Sequence, residues 1–427
     1  EHSECLLNQP TEVDPAVLNS ISSRSVMLTL DEPPSLDEVK LAIRKLKNRR
    51  APGADGINAE LIMCGGERVC IQMHALFCAI WETEIIPEDW RDALMVVLYK
   101  GKGSKADCGN WRGISLISVV GKALGRIILD RLIKLVAAYD VLPETQCGFR
   151  SGRSTTDMVF TVRQLQEKCI EQQVGLLQVF VDLEKAFDSI NRVMLWEILR
   201  KLGCPSRFVN MLRSFHSDMR AWVSVGGEVS APFFVNNGVK QGDVPAPTLF
   251  AVYFAVVLNV AFKSCNHGVY VRYRPSGSVF NIRRFAARTK IFTILVRDLL
   301  YADDCALVAH TEEDMQQIMN SFSAACTAFG LTINLKKTVV MFQPPPTQHY
   351  LEPNIFVYGK QLNVVHVVVY LGSAVNRHCN LNSDIPLRIQ KASAAFGKLE
   401  NRLWKRREVN IKTKLDVYNA CVLTTLL

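Results

Sequence analysis

Three aspartates interrupt apolar segments of the chain, and carboxylates placed in this way could hold divalent cations. Asp303 and Asp304 are neighbours within residues 297–310 (RDLLYADDCALVAH), and Asp182 ends the apolar run 176–183 (LLQVFVDL). Ionised carboxylates are costly to bury unless protonation, basic partners or a metal ion neutralises them. In a continuous strand Asp303 and Asp304 would point to opposite faces. A tight turn at residues 302–304 would instead put both carboxylates at a hairpin tip.

Pairing of the two strand segments in one sheet could bring Asp182 beside Asp303. Three carboxylates at one point form a hard-oxygen site that suits Mg²⁺ or Mn²⁺ rather than zinc. Two such ions, about 3.5 to 4 Å apart, can activate an attacking hydroxyl and stabilise a departing pyrophosphate, which is nucleotidyl transfer. The alternative is that Asp303 and Asp304 are ordinary turn residues and that Asp182 caps the next helix. The three residues alone leave both interpretations open.

Composition indicates a globular protein with a polyanionic partner. The chain has 48% hydrophobic and 21% charged residues, and its net charge is +9, which favours nucleic acid as a partner. Residues 385–427 hold nine basic residues against three acidic ones. Thirteen cysteines without C-x-x-C pairs predict free thiols in a reducing compartment. The polar N-terminus has no signal or transit peptide, so we expect an intracellular protein, nuclear or cytoplasmic and not secreted.

Two other segments could be taken for a membrane span and a zinc site, but in each case the sequence favours a structural role. Residues 246–262 form an uncharged run of 17 residues, at the short limit for a membrane span, but a proline and polar residues inside it favour a buried core helix. Four potential zinc ligands fit no common metal-binding spacing, and three of them share one helix face. We therefore favour a buried helix face over a metal site for Cys64, Cys70, His74 and Cys78.

Hydrophobic periodicity predicts alternating helices and strands, which is a mixed α and β protein. Ser35 begins one helix with a capping box, and Thr311 caps another that Gly330 ends. The predicted strands are residues 93–99, 176–183 and 364–373. The other predicted helices are residues 119–136, 191–202, 246–262 and an amphipathic, basic helix from residue 385.

Five motifs in this order resemble the successive palm motifs of a reverse transcriptase. They are FVDLEKAFDSI (180–190), NNGVKQGDVPAPTLF (236–250), LLYADDCALVAH (299–310), FGLTINLKKT (329–338) and VVYLGS (368–373). The segments before them resemble those of non-long-terminal-repeat (LINE-type) retrotransposons, so the resemblance covers almost the whole chain. It implies an α+β, right-hand polymerase whose palm contains an antiparallel sheet. The implied divisions are an N-terminal linker (1–34), fingers (35–175), a palm (176–384) and a truncated, helical thumb (385–427).

The resemblance also implies a role for individual residues at the chemical centre. Asp182, Asp303 and Asp304 would be the metal ligands, assisted by the backbone carbonyl of Leu183, and would hold two Mg²⁺ ions, with Mn²⁺ possible. Either Lys336 or Lys337 would protonate the departing pyrophosphate.

Further residues would bind the nucleotide and the nucleic acid. Phe187 matches the steric gate that rejects a 2′-hydroxyl, and Gln241 and Gly242 match the loop that shapes the nucleotide pocket. Two basic residues resemble those that grip the triphosphate, namely Arg112 and either Lys100 or Lys102. The primer grip, residues 370–373, would include Tyr370, Leu371 and Gly372. Thumb residues that would contact the template–primer backbone are Arg402, Lys405 and Arg406.

The resemblance therefore predicts an RNA-directed DNA polymerase that uses an RNA template, a DNA or RNA primer and dNTPs. No membrane partner is expected, and the sequence does not give the oligomeric state. Asp243 and Pro245 stand where the family commonly has Cys and Leu, so one alternative is a catalytically inactive, nucleic-acid-binding remnant of a mobile element. A second alternative, an RNA-directed RNA polymerase, is disfavoured by Phe187. The endonuclease and zinc-knuckle regions that flank such domains are not within the chain.

Overall fold

A computed structural model describes residues 2–9, 12–101, 103–273 and 292–426 of the chain. The chain divides into two compact units, each built from three segments. Unit 1 comprises Glu1–Ser151, Leu183–Cys265 and Asn320–Ile333. Unit 2 comprises Gly152–Asp182, Asn266–Met319 and Asn334–Leu427.

Helices and strands are both abundant in the described residues, so the predicted α+β class is confirmed. The α-helices are α1 (His2–Leu7), α2 (Leu36–Arg44), α3 (Ala59–Cys64), α4 (Gly66–Thr83), α5 (Glu88–Arg91), α6 (Val119–Ala138), α7 (Thr155–Glu171), α8 (Arg192–Lys201), α9 (Ser206–Ser214), α10 (Ala246–Phe262), α11 (Glu312–Ala328), α12 (Asp384–Lys398), α13 (Ile411–Val417) and α14 (Thr424–Leu426). Short 3₁₀ helices cover Pro15–Ser20, Leu28–Leu30 and Cys108–Asn110. Two π-helical turns cover Glu400–Trp404 and Tyr418–Leu423.

The strands are β1 (Ala93–Tyr99), β2 (Trp111–Leu116), β3 (Leu176–Val181), β4 (Arg220–Val225), β5 (Glu228–Val229), β6 (Phe233–Phe234), β7 (Val269–Tyr273), β8 (Phe292–Val296), β9 (Asp298–Tyr301), β10 (Asp304–Ala309), β11 (Val339–Gln343), β12 (Phe356–Val357), β13 (Lys360–Gln361), β14 (Asn363–Val364), β15 (Val367–Tyr370) and β16 (Ser373–Asn376).

Unit 1 combines a five-stranded sheet with a helical core. The strand order is β2-β1-β4-β5, and β6 also pairs with β4. Strand β1 is antiparallel to β2 and parallel to β4. Helix α10 is apolar on every face and almost entirely buried, as expected for a helix at the centre of a core. The prediction of a buried core helix at these residues is confirmed.

Unit 2 is built on a second five-stranded sheet, with the order β14-β11-β3-β10-β9. Every residue of β3 is buried, which explains why its sequence is a continuous apolar run rather than an alternating one. Strand β3 is antiparallel to both β10 and β11, whereas β14 is parallel to β11. Most strand pairs in this sheet are therefore antiparallel.

A local sequence signal explains the start of α2, but one predicted strand is wrong. Ser35 and Glu38 form the predicted capping box at α2. Residues 364–373, predicted as a single strand, instead form the end of β14 and a hairpin of β15 and β16. The hairpin turns at Leu371 and Gly372, which both have positive φ, 48° and 89°. Glycine adopts this conformation readily, so the strand prediction missed a turn signal at Gly372.

The cysteines and the apolar helices bear on the remaining structural predictions, of which the buried helix face around the four potential zinc ligands is only partly buried. All thirteen cysteines lie within the described residues and are free thiols. Three of the four potential zinc ligands lie on α4, where Cys70, His74 and Cys78 are half-buried. The His74 imidazole is 3.0 Å from the carbonyl oxygen of Pro34. None of the helices in the described part of the chain combines the length and apolar character that crossing a membrane requires.

Candidate active site

The β9–β10 hairpin places the aspartate pair at its tip, as the sequence predicted. Tyr301 pairs with Asp304, and the two residues between them form the turn. Ala302 has a φ of 59° there, a conformation that is uncommon for residues other than glycine. In the adjacent pair of strands Cys305 lies opposite Val181. Asp304 precedes Cys305 and Asp182 follows Val181. Because the strands are antiparallel, both aspartates lie at the same end of the sheet.

The pKa of Asp304 is raised to about 6, although its side chain reaches solvent. Partial burial is the largest cause, and the negative charges of Asp303 and Asp182 add to it. Like charges act on each other in this way only at short range. The three predicted carboxylates thus belong to one cluster in unit 2. Binding of a proton or a cation would reduce the repulsion among these carboxylates.

Of the two candidate lysines, Lys337 contacts the cluster. Its Nζ atom lies 3.1 Å from Oδ2 of Asp182. The turn that carries it is tied to the same residue, since the backbone N–H of Asn334 donates to the carbonyl oxygen of Asp182 at 2.8 Å. The Asn334 side chain accepts from the backbone N–H groups of both Lys336 and Lys337. Lys336 is exposed on the same turn.

The donor chemistry of the cluster fits a hard divalent cation. Three carboxylates offer oxygen ligands, which Mg²⁺ and Mn²⁺ prefer, and the charges of Asp303 and Asp182 add to the burial that disfavours the ionised form of Asp304. Among the described residues, however, no three His, Cys, Asp or Glu side chains are already gathered closely enough to hold an ion. The Asp182 carboxylate is turned toward Lys337 instead. A bound cation would therefore compete with this ammonium group for Asp182.

Phe187 belongs to unit 1 and is packed between two other aromatic rings. It stacks on Phe250 of α10 with a centroid distance of 4.6 Å, and Phe149 meets it edge-on at 6.3 Å. Phe149 is 55% exposed and has a φ of 57°, which is a genuine outlier for a bulky residue. Phe149 is therefore an exposed residue that contacts the predicted steric gate, Phe187. The contact between Phe149 and Phe187 could not be predicted from the sequence.

The Gln241–Gly242 loop is attached to β2 and to the segment that follows Phe187. Ser115 of β2 donates its backbone N–H to the carbonyl oxygen of Gln241 at 2.9 Å. Gly242 has a φ of 112°, and a Cβ atom there would lie 2.6 Å from the Ser115 carbonyl oxygen. The Gln241 side-chain amide donates to the Asp188 carboxylate at 3.4 and 3.5 Å. Only glycine fits where the loop meets β2.

Asp188 is a site residue that sequence reasoning missed. Burial raises the pKa of its carboxyl to about 6, against the opposing effects of Lys185, the Gln241 amide and Lys100. Its position four residues after Glu184 gave no signal, because an acid in a polar stretch is ordinarily exposed. The structure instead brings Asp188, Gln241 and Lys100 into one electrostatic neighbourhood of unit 1.

The predicted triphosphate-binding residues lie at the end of the β1–β2 hairpin. Arg112 of β2 is exposed and pairs with Leu98 of β1. Lys100 follows β1, is exposed, and donates from Nζ to the carbonyl oxygen of Gly109 at 2.8 Å. Lys102, the alternative to Lys100, lies outside the described residues. Arg112 and Lys100 thus remain candidates for phosphate binding at one edge of the sheet.

Arg192, a second residue that the sequence reasoning missed, holds the chain that leads into the Gln241 loop. Its guanidinium group donates to four backbone carbonyl oxygens at 2.7 to 3.1 Å. They belong to His216, Val235, Asn237 and Gly238. An arginine at the start of a helix carries no sequence signal for such a role.

Leu183 and the predicted primer grip are positioned by backbone pairing. Leu183 is buried in unit 1 and forms an isolated bridge with Ile333. In unit 2 the Tyr370 side chain is buried, and its hydroxyl donates to the carbonyl oxygen of Leu299 at 3.4 Å. The ring is therefore not exposed for contact with a primer. Leu371, which is half-buried, and Gly372, which is exposed, form the turn.

The β15–β16 hairpin is clamped to α12 by a buried carboxylate. Asp384 accepts from the backbone N–H of Ala374 at 2.7 Å and from Nε of Arg388 at 2.9 Å. Arg388 also donates to the hydroxyl of Ser373 at 2.6 Å. Lys391 of the same helix donates to the carbonyl oxygen of residue 372 at 3.2 Å. This clamp was not predicted, because it joins residues whose roles depend on tertiary contact.

The predicted thumb residues are exposed and partly paired with acids. Arg402 lies in the π-helical turn that follows α12, with Lys405 and Arg406 immediately after it. Lys405 Nζ is 2.9 Å from Glu400, and Arg406 is 3.8 Å from Glu408. Exposed pairs of this kind are weak, so the cationic groups can exchange these acids for phosphates.

Comparison with known proteins gives the context of this site. The family described as reverse transcriptase (RNA-dependent DNA polymerase) matches residues 102–375. The probable RNA-directed DNA polymerase from transposon BS of Drosophila melanogaster is 24% identical over 417 residues, 96% of this chain and 43% of that protein. The RNA-directed DNA polymerase from mobile element jockey of Drosophila funebris is 23% identical over 412 residues, 95% and 42% respectively.

A third similar protein is the putative 115 kDa protein in type-1 retrotransposable element R1DM of Drosophila melanogaster. It is 28% identical over 374 residues, which cover 86% of this chain and 33% of that protein. The chain therefore spans less than half the length of each of these relatives.

Proposed function

We propose, from the premise that the chain belongs to the reverse transcriptase (RNA-dependent DNA polymerase) family, that it extends a DNA or RNA primer on an RNA template with dNTPs. Its kinship with proteins of non-LTR retrotransposons is shown by the relatives already described. The observation that supports the activity is the convergence of Asp182, Asp303 and Asp304 at one end of a sheet. A triad of this kind suits nucleotidyl transfer.

Each residue of the carboxylate cluster has a proposed role. Asp182, Asp303, Asp304 and the Leu183 carbonyl would hold two Mg²⁺ ions, or Mn²⁺, which would supply activation of the primer hydroxyl and neutralisation of pyrophosphate charge. Lys337 is the better candidate for delivering a proton to the leaving group, because its ammonium group already contacts Asp182. Proton transfer by a positioned side chain is typical general acid catalysis.

The unit 1 residues would bind and select the nucleotide. Phe187, held between two rings, presents an aromatic surface that would exclude a 2′-hydroxyl. Gln241 would face the nucleotide from a loop that is fixed to β2. Lys100 and Arg112 would bind the triphosphate, since charge-assisted hydrogen bonds to phosphate are strong and directional.

For the architecture we propose the right-hand layout, with fingers at 35–175, a palm at 176–384 and a partial thumb at 385–427. The primer grip would be the turn at Leu371 and Gly372, clamped by α12. The exposed cations Arg402, Lys405 and Arg406 would contact the template–primer backbone. The thirteen free thiols fit a reducing, intracellular compartment.

Primer extension tests the proposal directly. Purified protein is incubated with Mg²⁺, an RNA template, an annealed primer and dNTPs, beside the variant Asp303→Ala and a reaction without divalent ion. We expect extension by wild type alone. Wild-type product no greater than that of Asp303→Ala would refute the proposal, and template binding without extension would then favour an inactive remnant. Ribonucleotide incorporation as fast as dNTP incorporation would favour an RNA-directed RNA polymerase.

A further inference from the structure

The carboxylate of Asp243 is buried at the junction between the Gln241–Gly242 loop and α10. The residue is only 7% exposed, and its Oδ1 atom lies 3.9 Å from where a Cβ atom of Gly125 would stand. Pro245 approaches the same glycine, at 3.6 Å. The Asp243 side chain therefore faces helix α6. A carboxylate in this orientation has a different environment from one that projects into solvent beside the nucleotide loop.

Two lysines supply positive charge around this acid. Lys240 is 5% exposed, and its Nζ donates to the carbonyl oxygen of Arg91 at 2.5 Å. Burial raises the pKa of Asp243, whereas the charges of Lys240 and Lys122 lower it. Burial lowers the pKa of Lys240 to about 8, and Asp243 opposes that change. A buried charge left without its partner is strongly unfavourable, so the acid and the lysines depend on each other.

Two hydrogen bonds fix the backbone around Asp243, next to the Gln241–Gly242 loop. The Asp243 N–H donates to the carbonyl oxygen of Lys240 at 3.1 Å, which closes a turn over Gln241 and Gly242. Its Oδ1 accepts from the N–H of Val244 at 2.8 Å. The loop thus has one attachment to β2, through the carbonyl of Gln241, and is closed internally by the bonds of Asp243 to Lys240 and Val244.

We propose that Asp243 is a positioning residue, whose buried carboxylate, held by the Val244 N–H and compensated by the charges of Lys240 and Lys122, keeps the Gln241–Gly242 turn in place for the incoming nucleotide. This inference rests on the proposed function. It gives the acid that stands where the family commonly has Cys a role in an active polymerase, in place of the alternative that this residue marks an inactive remnant. Pro245 is compatible with the same arrangement, because it stands at the N-terminus of α10, where a missing N–H is not needed.

The test compares variants at Asp243 in the full chain. Asp243→Asn keeps the shape and removes the charge, Asp243→Cys introduces the residue common in the family, and Asp89→Asn is a control at an exposed acid. We expect both Asp243 variants to raise KM for dNTP about tenfold with kcat changed less than threefold, while Asp89→Asn matches wild type. A merely structural role would lower the active fraction and leave KM unchanged, which would overturn the proposal. An Asp243→Cys variant faster than wild type, as expected if the carboxylate repels the triphosphate, would also overturn it.

A second measurement separates this inference from the proposed activity. If wild type extends no primer, the polymerase proposal fails. Urea unfolding of Asp243→Asn, Lys122→Met and the double variant then still tests whether the charges of Asp243 and Lys122 are coupled. Coupled charges predict that the double variant loses less stability than the sum of the single losses. Additive losses would show that Lys122 and Asp243 act independently and would refute the positioning claim.

Discussion

Lys337 offers the sharpest test of the proposed chemistry, because the chain supplies its own control one residue away. Lys336 and Lys337 are both exposed on one turn, and the same Asn334 side chain accepts from both backbone N–H groups. Only Lys337 is seen to contact Asp182, at 3.1 Å. We expect Lys337→Met to impair nucleotide addition severely and Lys336→Met to leave it nearly unchanged.

The contact distances and exposures set the size of the two effects. The side chains of Lys337 and Asp182 are 64% and 37% exposed, so their ion pair contributes only about 0.2–1 kcal/mol to folding stability. Loss of a positioned general acid typically lowers a rate by about 10²- to 10⁴-fold. That range corresponds to about 2.7–5.4 kcal/mol in the activation barrier. The loss of activity should therefore far exceed the loss of stability.

The assay is single-nucleotide addition at saturating dNTP and Mg²⁺, run beside urea unfolding of the same protein samples. We expect Lys337→Met to lose at least a hundredfold in rate with an almost unchanged unfolding curve, and Lys336→Met to stay within threefold of wild type. Equal losses in the two variants, or a normal rate for Lys337→Met, would refute the assignment of the general acid.

Three further variants test other parts of the structure. Phe149→Ala should increase rNTP relative to dNTP incorporation several-fold, because the edge contact with Phe187 is lost; an unchanged ratio in competition assays would contradict this role. Asp384→Ala should destabilise the protein by about 2–4 kcal/mol, since it removes the buried acceptor of the Ala374 N–H and of the Arg388 guanidinium; urea unfolding checks this, with exposed Asp416→Ala as the control. Asp188 has a pKa raised from 3.8 to about 6 in the folded protein, so folding binds its proton and stability should fall as pH rises from about 4 to 6. Asp188→Asn should remove at most about 3 kcal/mol of that pH dependence, and unfolding curves that depend on pH as in wild type would contradict it.

Local patterns in the sequence predict the elements that depend on local physics. The bounds of β1 and α10 agree with their predicted ranges, since each is a continuous apolar run with clear ends. The hairpin tip at Asp303 was likewise predictable, because a strand could not place two adjacent carboxylates together. The failure at residues 364–373 has the opposite cause: the apolar run continues through a turn whose only signal is Gly372.

Long-range partners could not be predicted from the sequence, although several of them shape the candidate site. Spacing alone gave no means of choosing between Lys336 and Lys337, because the choice depends on which side chain reaches Asp182. The clamp on Asp384 joins a helix to a hairpin through side chains of ordinary type. The sequence pattern predicts burial and periodicity, but it does not predict which polar groups that are distant in the chain come into contact.

Asp243 and the acids at the β9–β10 tip differ in how their charge is balanced, and this difference separates a positioning role from a proposed catalytic one. Asp243 is buried, but the two lysine charges that act on it are favourable, so the fold itself supplies its compensation. Asp304 reaches solvent, yet burial and the two negative charges that act on it all raise its pKa. Folding stability alone gives no reason to gather like charges at the end of a well-formed sheet. The arrangement becomes favourable when a divalent cation binds, which is why the acids at the β9–β10 tip, and not the more deeply buried Asp243, are the ones that we expect to take part in chemistry.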